Sequence, residues 1–259
     1  MDYFEKLEHN PYEDLMWNIS EQKQGTVNVI GGNEGNFRTE IKVAEFLSGK
    51  YPLKSVDLVL PDSLKNKLPP LSNFVFMPST DAGTFDDSQA LHNVFNAADF
   101  NLVLGDFSKN RVTVKAIASA IESTEKMTFV TRDSVDLITE RNPDKTLMNE
   151  ELIIFASIAQ LVKLLRAVYY PKVLLLSQSL VQVAEVLHKF TLSYPVSIIT
   201  FHSGQILIAG NGIVKAVSIE KTDFTPLTIW SGELAGKIVA LNLYNPNQFI
   251  KASVSALFK

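Results

Sequence analysis

Val27-Asn28-Val29-Ile30-Gly31-Gly32, followed by Arg38 to Leu47, reads as a buried strand, a glycine turn and a helix. The first run is short, apolar and closed by glycine, which suits a strand covered on both faces. The second places Ile41 and Ala44 at helical spacing. The unit then repeats. Val56-Asp57-Leu58-Val59-Leu60 is a strand closed by Pro61-Asp62, and Asp62 or Ser63 is placed to cap a short helix that stops before Pro69-Pro70. Phe74 to Met77 is a strand that empties into the polar loop Pro78 to Thr84. Helix and strand alternate again as Ser88–Ala98, Leu102–Gly105, Val112–Ile121 and Met127–Thr131. Ile153 to Phe155 is a strand, with helices over Ile158–Val168 and Val181–Phe190. Three more strands cover Val196–Phe201, Gln205–Ala209 and Ile213–Val217, the last two joined by Gly210-Asn211-Gly212. Helices Gly232–Leu241 and Pro246–Leu257 close the chain.

This alternation implies a three-layer α/β fold, a mainly parallel sheet with helices on both faces. The late hairpin adds an antiparallel edge. Residues 1–25 read as an irregular N-terminal arm and 26–259 as one domain. Ligands in such sheets sit at the carboxyl ends of the strands. The polar strand ends at Gly31–Gly35, Ser79–Thr84, Gly105–Asn110 and Thr131–Ser134 are therefore expected to converge on one crevice.

Composition narrows the function classes. The chain has 259 residues, 46% of them hydrophobic and 20% charged, which fits a globular protein with a substantial core. A net charge of −4 gives no general pull toward nucleic acid or anionic lipid. The absence of cysteine excludes disulfides, thiolate metal sites and a cysteine nucleophile. The N-terminal stretch lacks the basic start and apolar run of a signal peptide, and no apolar stretch approaches a membrane span, so a cytoplasmic location is expected. Only 12 glycines are present, fewer than the average of about 7%. That scarcity weighs against several glycine-rich phosphate loops. His9, His92, His188 and His202 show no paired metal spacing.

Trp230-Ser231-Gly232-Glu233-Leu234-Ala235 is the most suggestive chemical segment. A small polar turn runs into an apolar helix, with Ser231 as the expected N-cap and Glu233 in the first turn. Exposed amides at such a start also hold anions.

At this point the chain resembles the ribokinase-like fold, and in particular the nucleotide-dependent NAD(P)H-hydrate dehydratases. VIGGNEGNFRTEIKVAEFL is similar to that family's first strand, glycine turn and helix. ADFNLVLGDFSKN lies where the family has a strand and a GPGLG-like loop, and TFVTRDSVDLI resembles its LDADALNLL segment. SIITFHSGQILIAGNG resembles its hairpin, and SGELAGKIVAL its SGDVLAGIIAGLL. Several positions depart from the pattern. Phe155 to Gln160 replaces TPHPGE, Leu227 to Trp230 replaces the glycines before the final helix, Thr131 replaces an aspartate, and Glu233 stands at the catalytic aspartate.

The resemblance implies ADP or ATP as cofactor, with Mg2+ bridging its phosphates, and a nucleotide or dinucleotide as partner. It also implies a homo-oligomer. Glu233 would be the general base, against the alternative of a helix-start carboxylate that only offsets the dipole. Ser231, Gly232, Gly204 and His202 would face the nucleotide. Gly31, Gly32, Asn33, Gly35, Ser79, Thr80, Gly105, Asp106, Asn110 and Asp133 would face the substrate. Each has a plainer reading: a tight βα turn for Gly31 to Gly35, a helix cap for Asn110, a turn cap for Asp133. Three functions follow: a divergent dehydratase of hydrated NAD(P)H, a non-catalytic nucleotide-binding relative acting as sensor or subunit, and a small-molecule kinase of the same fold.

Overall fold

The computed structural model describes residues 2–68, 73–225 and 230–258. Runs of β-branched and aromatic residues form ten strands: β1 (Phe4–Leu7), β2 (Gln24–Gly31), β3 (Leu53–Pro61), β4 (Phe74–Met77), β5 (Phe100–Gly105), β6 (Met127–Thr131), β7 (Leu152–Phe155), β8 (Ser197–His202), β9 (Gln205–Gly210) and β10 (Ile213–Ser218). They make one sheet in the order β1-β10-β9-β8-β7-β6-β5-β2-β3-β4. The run from β8 to β4 is parallel throughout, and β9 is antiparallel to both β8 and β10.

Alternate residues feed opposite faces. Ile30, Val103, Val130 and Ile154 pack under helices α2 (Gln89–Ala97), α3 (Arg111–Ser123), α4 (Ser134–Glu140), α6 (Ile158–Ala167) and α7 (Leu180–Ser193). The short helix α5 spans Pro143–Thr146. Val29, Leu102, Leu104, Phe129 and Ile153 pack under α1 (Arg38–Lys50), α8 (Glu233–Tyr244) and α9 (Phe249–Leu257). This is the expected α/β architecture, with helices on both faces and an antiparallel hairpin toward one edge.

Helix starts follow local chemistry. Ser88, Asn110, Ser157 and Ser179 each accept a backbone N–H in the first turn of the following helix. Ser157 and Ser179 do so in full capping boxes with Gln160 and Gln182.

Three local expectations fail. The irregular arm expected over residues 1–25 is not what residues 2–25 form: Phe4–Leu7 pairs parallel with Val214–Val217, and Glu13–Asn18 is a 3-10 helix. The open edge of β10 offers a ladder that no local pattern reveals. Ser231 is not the N-cap of α8. That position is Gly232, left-handed at φ 97, because a Cβ there would meet Leu104 and Val43 within 2.8 and 3.2 Å. Neither Asp62 nor Ser63 caps a helix either. Asp62–Leu64 is a single 3-10 turn with Pro61 at its N-cap position. Pro69-Pro70 and Leu227–Ile229 lie outside the described residues.

Candidate functional site

The order in which strands are added reverses between β2 and β5, while the strands stay parallel. After β2 the chain builds outward through β3 and β4, returns to β5 on the other side of β2, and then builds the opposite way. Such a switch point opens a crevice at the carboxyl ends of the two strands. Gly31 and Gly105 sit there and touch. Gly32 N–H donates to the Gly105 carbonyl (2.9 Å), and a Cβ on Gly31 would lie 2.7 Å from the same oxygen. Gly105 has φ 109, and a Cβ on it would fall 1.8 Å from Asp133 Oδ1. Only glycine fits.

The backbone beyond these glycines is held in unusual conformations. Asp106, Ser108 and Arg132 all have positive φ, at 57, 64 and 58. Non-glycine residues in that region persist only when their surroundings enforce them. Here Asp133 accepts the Asp106 N–H with both carboxylate oxygens (2.9 and 3.1 Å), and Gln160 Nε2 donates to the Arg132 carbonyl (2.6 Å). Arg132 Nη2 pairs with Asp106 Oδ2 at 3.0 Å. Burial raises the Asp106 carboxyl, while Arg132 and Asn36 pull it down. Asn33 closes the turn after β2: its Oδ1 accepts from Gly35 N (2.8 Å) and its Nδ2 donates to the Asp106 carbonyl.

The fourth loop reaches the same place. Asn110 accepts from Val112 N (2.9 Å), so it does cap α3, and its Nδ2 donates to Thr80 Oγ1 (3.4 Å). Thr80 Oγ1 is bonded to Thr84 Oγ1 (2.9 Å), and Ser79 Oγ donates to Asp62. The tip of that loop meets the first one, since a Cβ on Gly83 would lie 2.8 Å from Glu34 Oε2. The structure therefore gathers all four polar strand ends. Gly35 stands at the exposed rim of the gathering.

Sequence reasoning missed the most unusual group. Glu40 in the first turn of α1 is 0% exposed, and neither carboxylate oxygen has a hydrogen-bond partner among the described residues. A Cβ on Gly31 would touch its Oε1 at 2.9 Å, so the carboxyl lies against the switch point. Burial pushes Glu40 up to about 8; its own backbone amide, which makes no well-formed hydrogen bond to the carboxyl, and Arg132 oppose this, and Asp106 and Asp133 reinforce it. The signal was in the sequence. Glu40, Val43, Ala44 and Leu47 form the buried stripe of α1, and the first member of that stripe carries a carboxyl.

Glu233 is the exposed first residue of α8. The helix begins beside the crevice, because Gly232 packs on Leu104, the residue before Gly105. His202 ends β8 and its Nε2 bonds to the Gln178 carbonyl (2.8 Å), so it anchors the segment before α7. Gly204 turns β8 into β9 at φ 73, and a Cβ there would meet nothing within 4 Å. Among the described residues no group of three or more histidine or carboxylate side chains is placed to hold a metal ion. A separate cavity of about 540 Å3, lined in part by Lys23, Tyr51, Lys54, Asp57 and Asn73, opens at the opposite, amino-terminal ends of β2 and β3.

No protein-family model matches the chain, and no curated protein matches it. Solved structures do. A ribokinase-like superfamily protein of Enterococcus faecalis superposes with a TM-score of 0.67 at 14% identity, covering 99% of this chain and 85% of that one. The chain has a ribokinase-like fold. A Bacillus subtilis member of the UPF0031 family gives 0.60 at 10% identity, covering 96% and 86%. The adenosine kinase of Anopheles gambiae, solved with P1,P4-di(adenosine-5) tetraphosphate, gives 0.55 at 11%, covering 98% and 89%. At these identities the likeness is one of fold, and function must be argued from the site. Among the described residues no helix of this ribokinase-like chain is long and apolar enough to cross a membrane.

Proposed function

We propose that the protein is a nucleotide-dependent enzyme acting on a hydroxyl-bearing small molecule, with ADP or ATP beside the start of α8 and the substrate in the β2–β5 crevice. The observation that carries this reading is the position of α8. Its first turn packs through Gly232 on Leu104, which puts Glu233 and the gathered strand ends at one end of the sheet. The adenine-nucleotide analogue in the adenosine kinase of the same fold supports it.

In this reading Glu233 takes the proton of the reacting hydroxyl, and the Gly232 amide faces developing phosphate charge. Magnesium would supply charge neutralisation on the nucleotide phosphates. The specific substrate we favour is hydrated NAD(P)H, so that the net reaction is a nucleotide-driven dehydration. A homo-oligomer and a cytoplasmic location remain part of the proposal, with no role for nucleic acid.

A second reading is a non-catalytic nucleotide-binding relative. It is favoured by the way polar groups satisfy one another: Asp133 is taken up by the Asp106 amide and Ser79 by Asp62. Melting temperature with and without ADP, ATP and NADPH, magnesium present, tests both. A ligand at 100 times its Kd adds about 2.7 kcal/mol. A rise with ADP or ATP, followed by turnover of hydrated NADPH that Glu233→Ala abolishes, supports the enzyme. A rise without turnover supports the second reading. Phosphoryl transfer from ATP to another alcohol would point to a kinase, and no rise with any nucleotide would end both readings.

A further inference from the structure

Unsatisfied buried polar atoms gather at the crevice. Glu40 Oε1 and Oε2, Thr131 Oγ1 and Arg132 Nη1 are all enclosed and without a hydrogen-bond partner among the described residues. Native interiors rarely leave such groups unpaired, and several at adjacent strand ends indicate a missing ligand group or ordered water. Only the Arg132 nitrogen is limited to donating. The carboxyl of Glu40 and the Thr131 hydroxyl can accept.

Charge narrows the ligand further. The ionisable groups facing Glu40 are Asp106 from the loop after β5, and Arg132 and Asp133 from the loop after β6. Arg132 is already paired with Asp106 at 3.0 Å. The ionisable groups of α8, which packs across α1, are Glu233, Lys237 and Tyr244; Lys237 is turned to the Phe258 carbonyl (3.2 Å) and the Tyr244 hydroxyl donates to the Pro52 carbonyl (2.6 Å). On the turn after β2, Glu34 is paired with Lys67 at 2.6 Å. The crevice thus holds two carboxylates and a latent third against one guanidinium, paired through Nη2 and unpartnered at Nη1. The net negative charge disfavours an anionic group, and a neutral one would leave the imbalance in place.

We propose that Glu40 makes the crevice an amine subsite, selecting a small molecule whose ammonium group donates to the Glu40 carboxylate beside Gly31 and Gly105. The inference rests on the reading of the crevice as the second-ligand site. Glu40 enters as the neutral acid. When the ammonium binds, the Glu40 O–H bond breaks and its proton passes to solvent. The carboxylate left behind accepts the ammonium N–H, and the ligand keeps its charge. Binding is therefore coupled to release of one proton and tightens as pH rises toward the value at which free Glu40 ionises.

The test uses ethanolamine and its neutral counterpart ethylene glycol as probes of the full chain. Carboxyl carbon NMR follows Glu40, assigned by its loss in Glu40→Gln. Ethanolamine is expected to lower the Glu40 pKa by more than one unit and ethylene glycol to leave it unmoved. Ethanolamine affinity is expected to rise nearly tenfold per pH unit between pH 6 and 7.5, and to be flat with pH in Glu40→Gln. Equal responses to both probes, no movement of the Glu40 resonance, or an unchanged pH slope in Glu40→Gln would overturn the proposal. ADP binding read separately by melting temperature keeps the two claims apart. Loss of the amine response with ADP binding intact overturns this inference alone, and the reverse overturns the nucleotide reading alone.

Discussion

Glu40→Gln is expected to stabilise the protein at neutral pH. The side chain is fully buried, and its carboxyl is raised from 4.5 in the unfolded chain to about 8 in the fold. Between those values the folded state binds more protons than the unfolded one, so stability falls as pH rises. The slope is about 1.4 kcal/mol per pH unit. It begins near pH 4.5, accumulates to about 3 kcal/mol by pH 7, and levels off above about pH 8. Glutamine has nearly the same shape and no proton to lose, so it escapes this term. Urea unfolding of both proteins at pH 5 and pH 7 reads the effect. The variant should be more stable by about 3 kcal/mol at pH 7 and by less than about 1 kcal/mol at pH 5. Equal stabilities at both pH values would mean that Glu40 is ionised and satisfied in the fold, and the account of the crevice would fall with it.

Gly105→Ala should destabilise by about 3 kcal/mol or prevent folding, because its Cβ would stand 1.8 Å from Asp133 Oδ1 at φ 109; chemical denaturation reads this. Asn110→Ala should cost about 1 kcal/mol by removing the cap on Val112 N–H, seen in the same assay. Glu233→Ala removes an exposed side chain and should change stability by less than about 0.5 kcal/mol. Its turnover of hydrated NADPH should fall by roughly 10²-fold or more, and unchanged turnover would end its assignment as base.

The strand-helix alternation was legible because each βα unit is written in local periodicity and closed by its own turn residues. Convergence of the four polar loops followed from topology alone, since parallel strands carry their ends to one side of the sheet. What escaped was set by distant partners. Phe4–Leu7 is a strand only because β10 leaves an edge, more than two hundred residues away. Gly232 replaces Ser231 as the cap because Leu104 and Val43 leave no room for a side chain. Asp133 reads as a ligand-binding aspartate by resemblance; its bond to the Asp106 amide, across a loop of positive φ, depends on the β5–β6 pairing and is not written in the local sequence. Glu40 was hidden by the ordinary presumption that a carboxylate at a helix start faces water, although its place in the 40-43-44-47 stripe said otherwise.

Glycine amides offer the most direct test of where ligands bind. The chain carries 12 glycines, spread over the crevice, the start of α8, the β8–β9 turn and the far end of the sheet. With 15N-labelled glycine, addition of ADP and magnesium is expected to shift the Gly232 and Gly204 amides and to leave Gly49, at the opposite cavity, in place. Shifts confined to Gly49, or none at saturating ADP, would contradict nucleotide binding at the start of α8.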